Sequence, residues 1–104
     1  MFDMFKDMEQ KQMELQQKLA EIIIDHKSKD GSLQIKIDAN KLIRDISIDA
    51  GFLKEGSNEM LEDILVVTLN EAIRKAEARA LEEMQNQLGD FLPDFNGLGS
   101  PFTA

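Results

Sequence analysis

Apolar positions change their spacing along this chain, and each change marks an element. From Phe5 to Ile22 they follow a heptad, with Phe5, Gln12 and Leu19 at a positions and Met8, Leu15 and Ile22 at d positions. Glu9, Lys11, Glu14, Lys18 and Glu21 lie between them, and Glu14 and Lys18 stand in the favourable i,i+4 order. A helix over residues 2–21 with one narrow apolar stripe is predicted. From Ile22 the period drops to two: Ile22, Ile24 and His26 share one face, and Ile23, Asp25 and Lys27 the other. Lys29 to Ser32 makes a turn, Asp30-Gly31 being favoured for a type I′ connection. Leu33, Ile35 and Ile37 then alternate with Gln34, Lys36 and Asp38, which places Asp38 on the wet face. Ala39-Asn40-Lys41 makes the next turn, with Asn40 suited to the left-handed conformation. Ile43 to Asp49 supplies a third strand, and Gly51 and Gly56 bracket a short helical connector, Phe52 to Glu55. The three strands read as an antiparallel meander with one buried and one solvated face.

A long helix follows, capped by Ser57 or Asn58 and stopped at Gly89. Its first half, Met60 to Ile73, is apolar on more than one side, whereas a surface helix normally has a single stripe. Such a helix packs on the sheet with one side and on a second subunit with another. Met60, Leu61, Ile64, Leu65, Val67, Leu69 and Ile73 are the expected dimer core. From Arg74 to Met84 the pattern thins to alanines among charges, as in an arm that runs past the core. Residues 1–89 thus make one domain. Residues 90–104 hold both prolines and three of the six phenylalanines without any period, and read as a flexible tail in which Phe91 and Phe95 can dock on a neighbour.

The chain has 104 residues, 42% of them hydrophobic and 31% charged, which fits one globular domain rather than a disordered chain. It contains no cysteine, which excludes disulfides and thiolate metal sites. The first residues carry Asp3 and Asp7 where a signal peptide needs a basic start, and no apolar run reaches membrane-spanning length. A cytoplasmic protein with no membrane partner is expected. Net charge is −8, which favours solubility and opposes indiscriminate attraction to nucleic acid.

Phosphate contact requires lysine and arginine on accessible faces. Lys75 and Arg79 share a face of the long helix with Arg74 adjacent, and Lys11 and Lys18 share a face of the first helix. Lys27, Lys29 and Lys36 lie on the wet side of the sheet or at its first turn. Two readings of these bases stand. Interleaved with Glu71, Glu77, Glu82 and Glu83 they form a solvated mixed-charge face, or they neutralise DNA phosphates. With no Trp, no Tyr, no zinc-finger spacing and no helix-turn-helix, DNA binding would rest on phosphates and shape rather than on base reading. His26, the single histidine, reads as a satisfied structural residue near the sheet edge rather than a metal ligand. Adjacent carboxylates such as Glu62-Asp63 do not converge on a helix, and no phosphate loop or nucleophile motif occurs. The chain reads as non-enzymatic, with no catalytic residue, metal or cofactor.

Several strings, taken in order, resemble the YbaB/EbfC family of small bacterial nucleoid-associated proteins. They are the Met/Gln/Lys/Glu-rich helix from Met8 to Leu19, the meander ending in Ile46-Ser47-Ile48-Asp49, Glu59 to Val67, and Asn70 to Glu77, followed by a Gly/Pro/Leu-containing tail. The first hairpin reads His26-Lys27-Ser28-Lys29-Asp30-Gly31 where members of the family often carry a glycine-rich stretch. The resemblance implies an α+β fold, helix, three-stranded antiparallel meander and long helix, in an intertwined homodimer with projecting helical arms. It also implies binding of double-stranded DNA with little sequence preference, in the nucleoid, for nucleoid organisation or gene regulation. The alternative from the residues alone is an acidic homodimeric protein-interaction module without DNA affinity. Such a module would use the Met/Phe-rich N-terminus and the Phe-containing tail to hold other proteins.

Overall fold

The computed structural model describes residues 2–91. They form α1 (Phe2–Glu21), β1 (Ile23–Lys27), β2 (Leu33–Asp38), β3 (Ile43–Ile48), α2 (Ala50–Glu55) and α3 (Asn58–Phe91). The strands make one antiparallel sheet in the order β1-β2-β3, the α+β meander expected. Register sets Ile24 opposite Ile37 and His26 opposite Ile35 on one side of β2, with Leu33 opposite Ile48 and Ile35 opposite Ile46 on the other. Residues paired across strands share a face, so one side of the sheet is a continuous apolar surface with His26 inside it.

The core lies between that surface and α3. Ile35 and Ile37 pack with Ala72 and Ala76, and Ile24, Ile43, Leu69 and Ile73 surround them. The two alanines, one turn apart, let the helix axis approach β2 closely. Truncating Ile35 or Ile37 to alanine would cost about 2–5 kcal/mol. The helix lies over β1 and β2 rather than β3. Ile46 and Ile48 of β3 are exposed although they continue the core face. At 1.5 Å per residue the long helix spans about 50 Å, against about 20 Å for a six-residue strand, so it must overhang the sheet.

Local details correct several expectations. The β1–β2 connection is not type I′, which needs two positive φ angles: only Gly31 has one, at 78°, and Gly31 N–H donates to Ser28 O over a wider five-residue loop. At the second turn the left-handed residue is Lys41, with φ of 70°, not Asn40. Asn40 has other work, its Nδ2 donating to Gln16 O of α1 at 2.9 Å. Asp38, expected on the wet face, is buried because the turn and Arg44 fold over it. The connector helix is longer than expected, beginning at Ala50 with Asp49 as its N-cap. Ser57 caps α3, its Oγ accepting from Met60 N–H. That helix does not stop at Gly89 but runs to Phe91, since an isolated glycine costs a helix only about 1 kcal/mol. The side chains of Phe91 and Phe95, expected to dock on a neighbour, and the tail beyond residue 91 lie outside the described residues.

Candidate nucleic-acid interface

The eight candidate phosphate contacts fall into three places. Lys27 and Lys29 sit at the hairpin end of the sheet, and both are exposed. Lys36 lies in the middle of the wet face, where the register sets Asp25 on one side of it and Asp45 on the other. That aspartate-lysine-aspartate row offers little net attraction for an anion. Its neighbours are also engaged: Gln34 Nε2 donates to Asp25 Oδ1 at 3.2 Å, and Ser47 Oγ to Asp45 Oδ2 at 3.4 Å. The wet face of the sheet is therefore the weakest of the three.

Lys11, Lys18, Arg74, Lys75 and Arg79 belong to the two helices. Ala39 N–H donates to both Leu19 O and Ile22 O, which fixes the end of α1 beside the end of β2. The packing of Ala72 and Ala76 in the core brings α3 to the same end, and the two helices meet there. Of the heptad seam, Leu19 is buried and Leu15 half-buried, but Phe5 and Met8 are each 65% exposed. The first turns of α1 thus stand away from the rest of the chain. In α3 every cation falls between Arg74 and Arg79, on the turns next to Ala76, which packs on the sheet. Arg74 and Lys75 are exposed and, among the described residues, held in no ion pair. Arg79 is diverted, its Nη1 lying 3.2 Å from Glu83 Oε2 one turn on. Such a half-buried i,i+4 helix pair is worth only about 0.2–0.5 kcal/mol and can yield to a phosphate.

Sequence reasoning missed Asp38 and misjudged His26. Asp38 is 1% exposed. Its Oδ1 accepts from Asn40 N–H at 2.8 Å and Leu42 N–H at 3.0 Å, and its Oδ2 from Arg44 Nε at 3.0 Å. The signal was an aspartate opening a turn, an Asx arrangement, with an arginine six residues on. His26 is buried as expected but is not a satisfied histidine, because neither ring nitrogen has a hydrogen-bond partner. The expected dimer-core side chains divide. Leu69 and Ile73 pack against the chain's own core, Leu61, Ile64 and Leu65 are half-buried, and Met60 and Val67 are each 54% exposed. Among the described residues no three His, Asp or Glu side chains are grouped to hold a metal, and no helix is long and apolar enough to cross a membrane.

The sequence model of the YbaB/EbfC DNA-binding family matches residues 1–91. A nucleoid-associated protein of Flavobacterium johnsoniae is 35% identical over 102 residues, covering 98% of this chain and 94% of that protein. One from Rhodopseudomonas palustris is 39% identical over 93 residues, covering 88% of each. The crystal structure of an uncharacterized protein, HP0035 from Helicobacter pylori, shares the fold with a TM-score of 0.69 at 22% identity, over 84% of this chain and 91% of that one.

Proposed function

Because the chain belongs to the YbaB/EbfC DNA-binding family, we propose that it acts as a homodimer binding duplex DNA in the bacterial nucleoid, within the cytoplasm. The family match across residues 1–91 carries this reading. Binding is through phosphates, with little sequence preference, and serves nucleoid organisation or gene regulation. Arg74 and Lys75 are the principal contacts, being adjacent exposed cations of α3 that no ion pair holds among the described residues. Lys11, Lys18 and Arg79 assist from the same end of the chain, and Lys27, Lys29 and Lys36 contribute less.

Pairing of two copies is supported by apolar surface that one chain does not cover. Ile46 and Ile48 extend the core face beyond the reach of α3, and Met60, Val66 and Val67 stand exposed on the other sides of that helix. A second copy laid on both would complete the core and set two Arg74-Lys75 pairs on one particle. Sedimentation or light scattering at micromolar concentration should report a dimer, and a stable monomer would defeat this part. Gel-shift titrations at several salt concentrations test the rest. Affinity should fall steeply with salt, and the R74A/K75A variant should lower the slope by about 1 for each phosphate it no longer neutralises. Absence of binding at low salt, or binding indifferent to salt, would overturn the DNA reading.

A further inference from the structure

The hairpin that joins β1 to β2 and the first half of α3 enclose a groove of about 290 Å³. Its wall is mostly apolar, with Ile64 and Val67 of α3 in it, and Asp30, Asp63 and Glu71 border it against the single cation Lys29. Asp63 and Glu71 are eight residues apart, which sets them about 12 Å apart along the helix axis and about 80° apart around it. Ile64 and Val67 lie between them. The Asp30 carboxylate borders the groove from the hairpin, held by Ser28 Oγ, Ser32 N–H and Ser32 Oγ, all donating to Oδ1. No lysine or arginine forms an ion pair with any of the three acids among the described residues. Beside Glu71 stands His26, whose side chain is 10% exposed. Its Nε2 lies 3.6 Å from Glu71 Oε1, and neither ring nitrogen has a hydrogen-bond partner.

An apolar wall with carboxylates at its ends suits a chain of methylenes that carries ammonium groups at intervals. The methylenes leave water for the wall, and the ammoniums donate charge-assisted hydrogen bonds to the carboxylates. An anion would meet net repulsion, and a compact hydrated cation would leave the wall uncovered. We propose that this groove binds a linear aliphatic polyamine lying along α3, one end at Glu71 and the other at Asp63. The span of about 12 Å calls for a long polyamine such as spermidine, because 1,4-diaminobutane cannot reach both carboxylates. At the Glu71 end the ammonium also donates to the acceptor nitrogen of the neutral His26 ring, a buried group that otherwise has no partner. The site is formed within one chain and is independent of the DNA reading.

Isothermal titration of spermidine into the full chain, at low salt and without DNA, tests the site. Saturable binding of one spermidine per protomer is expected, with weaker binding of 1,4-diaminobutane. The His26 ring resonances, unambiguous in a chain with one histidine, should shift on addition. D63N/E71Q should weaken binding about tenfold, as the loss of two solvent-accessible ion pairs implies. E77Q/E82Q removes the same charge from exposed positions further along α3 and should leave binding unchanged. Hexaamminecobalt(III) carries the charge of spermidine without its methylenes and should displace it poorly. Equal losses in the two variants, equal binding of the compact cation, or unmoved His26 resonances would reduce the effect to general attraction by a chain of charge −8 and overturn the site. Absence of saturable binding would overturn it too, and is the result expected if a second copy seated on Val67 fills the groove. Asp63 is exposed, so D63N alone decides the matter if the double variant does not fold.

Discussion

Replacing Asp38 by alanine should damage this fold out of proportion to the atoms removed. The carboxylate is 1% exposed and closes the β2–β3 turn by accepting from Asn40 N–H, Leu42 N–H and Arg44 Nε, while Arg44 Nη2 lies 2.8 Å from Oδ2. A hydrogen bond to a charged acceptor is worth about 1.5–3 kcal/mol net, so the two backbone bonds alone suggest about 3–6 kcal/mol. That is an upper figure, because Asn40 and Leu42 are exposed residues whose N–H groups can find water. The Arg44 side chain is 44% exposed and can rehydrate, so the guanidinium adds little to the loss. A destabilisation of about 2–4 kcal/mol remains, corresponding to a melting point lower by roughly 10–20 °C for a domain of this size. D38N keeps an acceptor for the two N–H groups and should lose about 1–2 kcal/mol. Urea unfolding followed by circular dichroism, at one protomer concentration because dimers melt by mass action, measures both. A D38A variant within about 1 kcal/mol of wild type would refute the role of the carboxylate. The consequence reaches α1, because the same turn holds that helix through Ala39 N–H and Asn40 Nδ2. Amide exchange at the end of α1 should quicken in D38A.

Other outcomes follow from single features. Lys41 holds φ of 70°, which glycine adopts freely, so K41G should stabilise the chain by about 1 kcal/mol in the same assay. The Ser28 hydroxyl first, then the Ser32 N–H and hydroxyl, hold the Asp30 carboxyl below its usual range. Its contribution is thus present above the unfolded value and lost as pH falls through the folded one. S28A should flatten the decline of urea midpoints on the acid side and leave the neutral side parallel to wild type. Val66 is 61% exposed on the far side of α3 from the sheet, and V66K should yield a folded monomer by light scattering. An undiminished V66K dimer would take Val66 out of the interface.

The order of elements was legible because both periods are clean. The heptad from Phe5 to Ile22, the alternation from Leu33 to Ile37 and the two-sided apolarity after Met60 each exceed the noise of local propensity. Turn geometry was less so, for a physical reason. Asp-Gly signals a turn but not its length, and the length here is set by Asp30 collecting Ser28 Oγ, Ser32 N–H and Ser32 Oγ. Likewise Asn40 yields the left-handed position to Lys41 because its amide is drawn to α1, a partner 24 residues distant. Pairings across the sheet are similarly non-local: nothing near Lys36 in sequence says that Asp25 and Asp45 flank it. The cations were visible as residue types, but their worth depends on neighbours that only the fold supplies.

That dependence bears on how so acidic a chain can serve DNA. A formal charge of −8 acts as a single repulsive body only over distances that salt leaves unscreened, about 8 Å at physiological strength and about 30 Å at 0.01 M. Close to a duplex bound as proposed the local groups decide, and there Arg74 and Lys75 are held in no ion pair among the described residues, while Arg79 would exchange Glu83 for a phosphate. Lowering the salt strengthens the local attraction and extends the general repulsion together. The observed salt slope should therefore be shallower than the number of cations at the interface implies. Neutralising a distant acid such as Glu59, in the first turn of α3 and well before those cations along the helix, separates the two effects. E59Q should raise affinity at about 0.01 M salt and leave it unchanged at about 0.15 M, because only at the lower strength does its charge reach the DNA. An equal gain at both strengths would mean that Glu59 lies beside the bound duplex, and that the DNA follows the whole of α3 rather than its cationic turns alone.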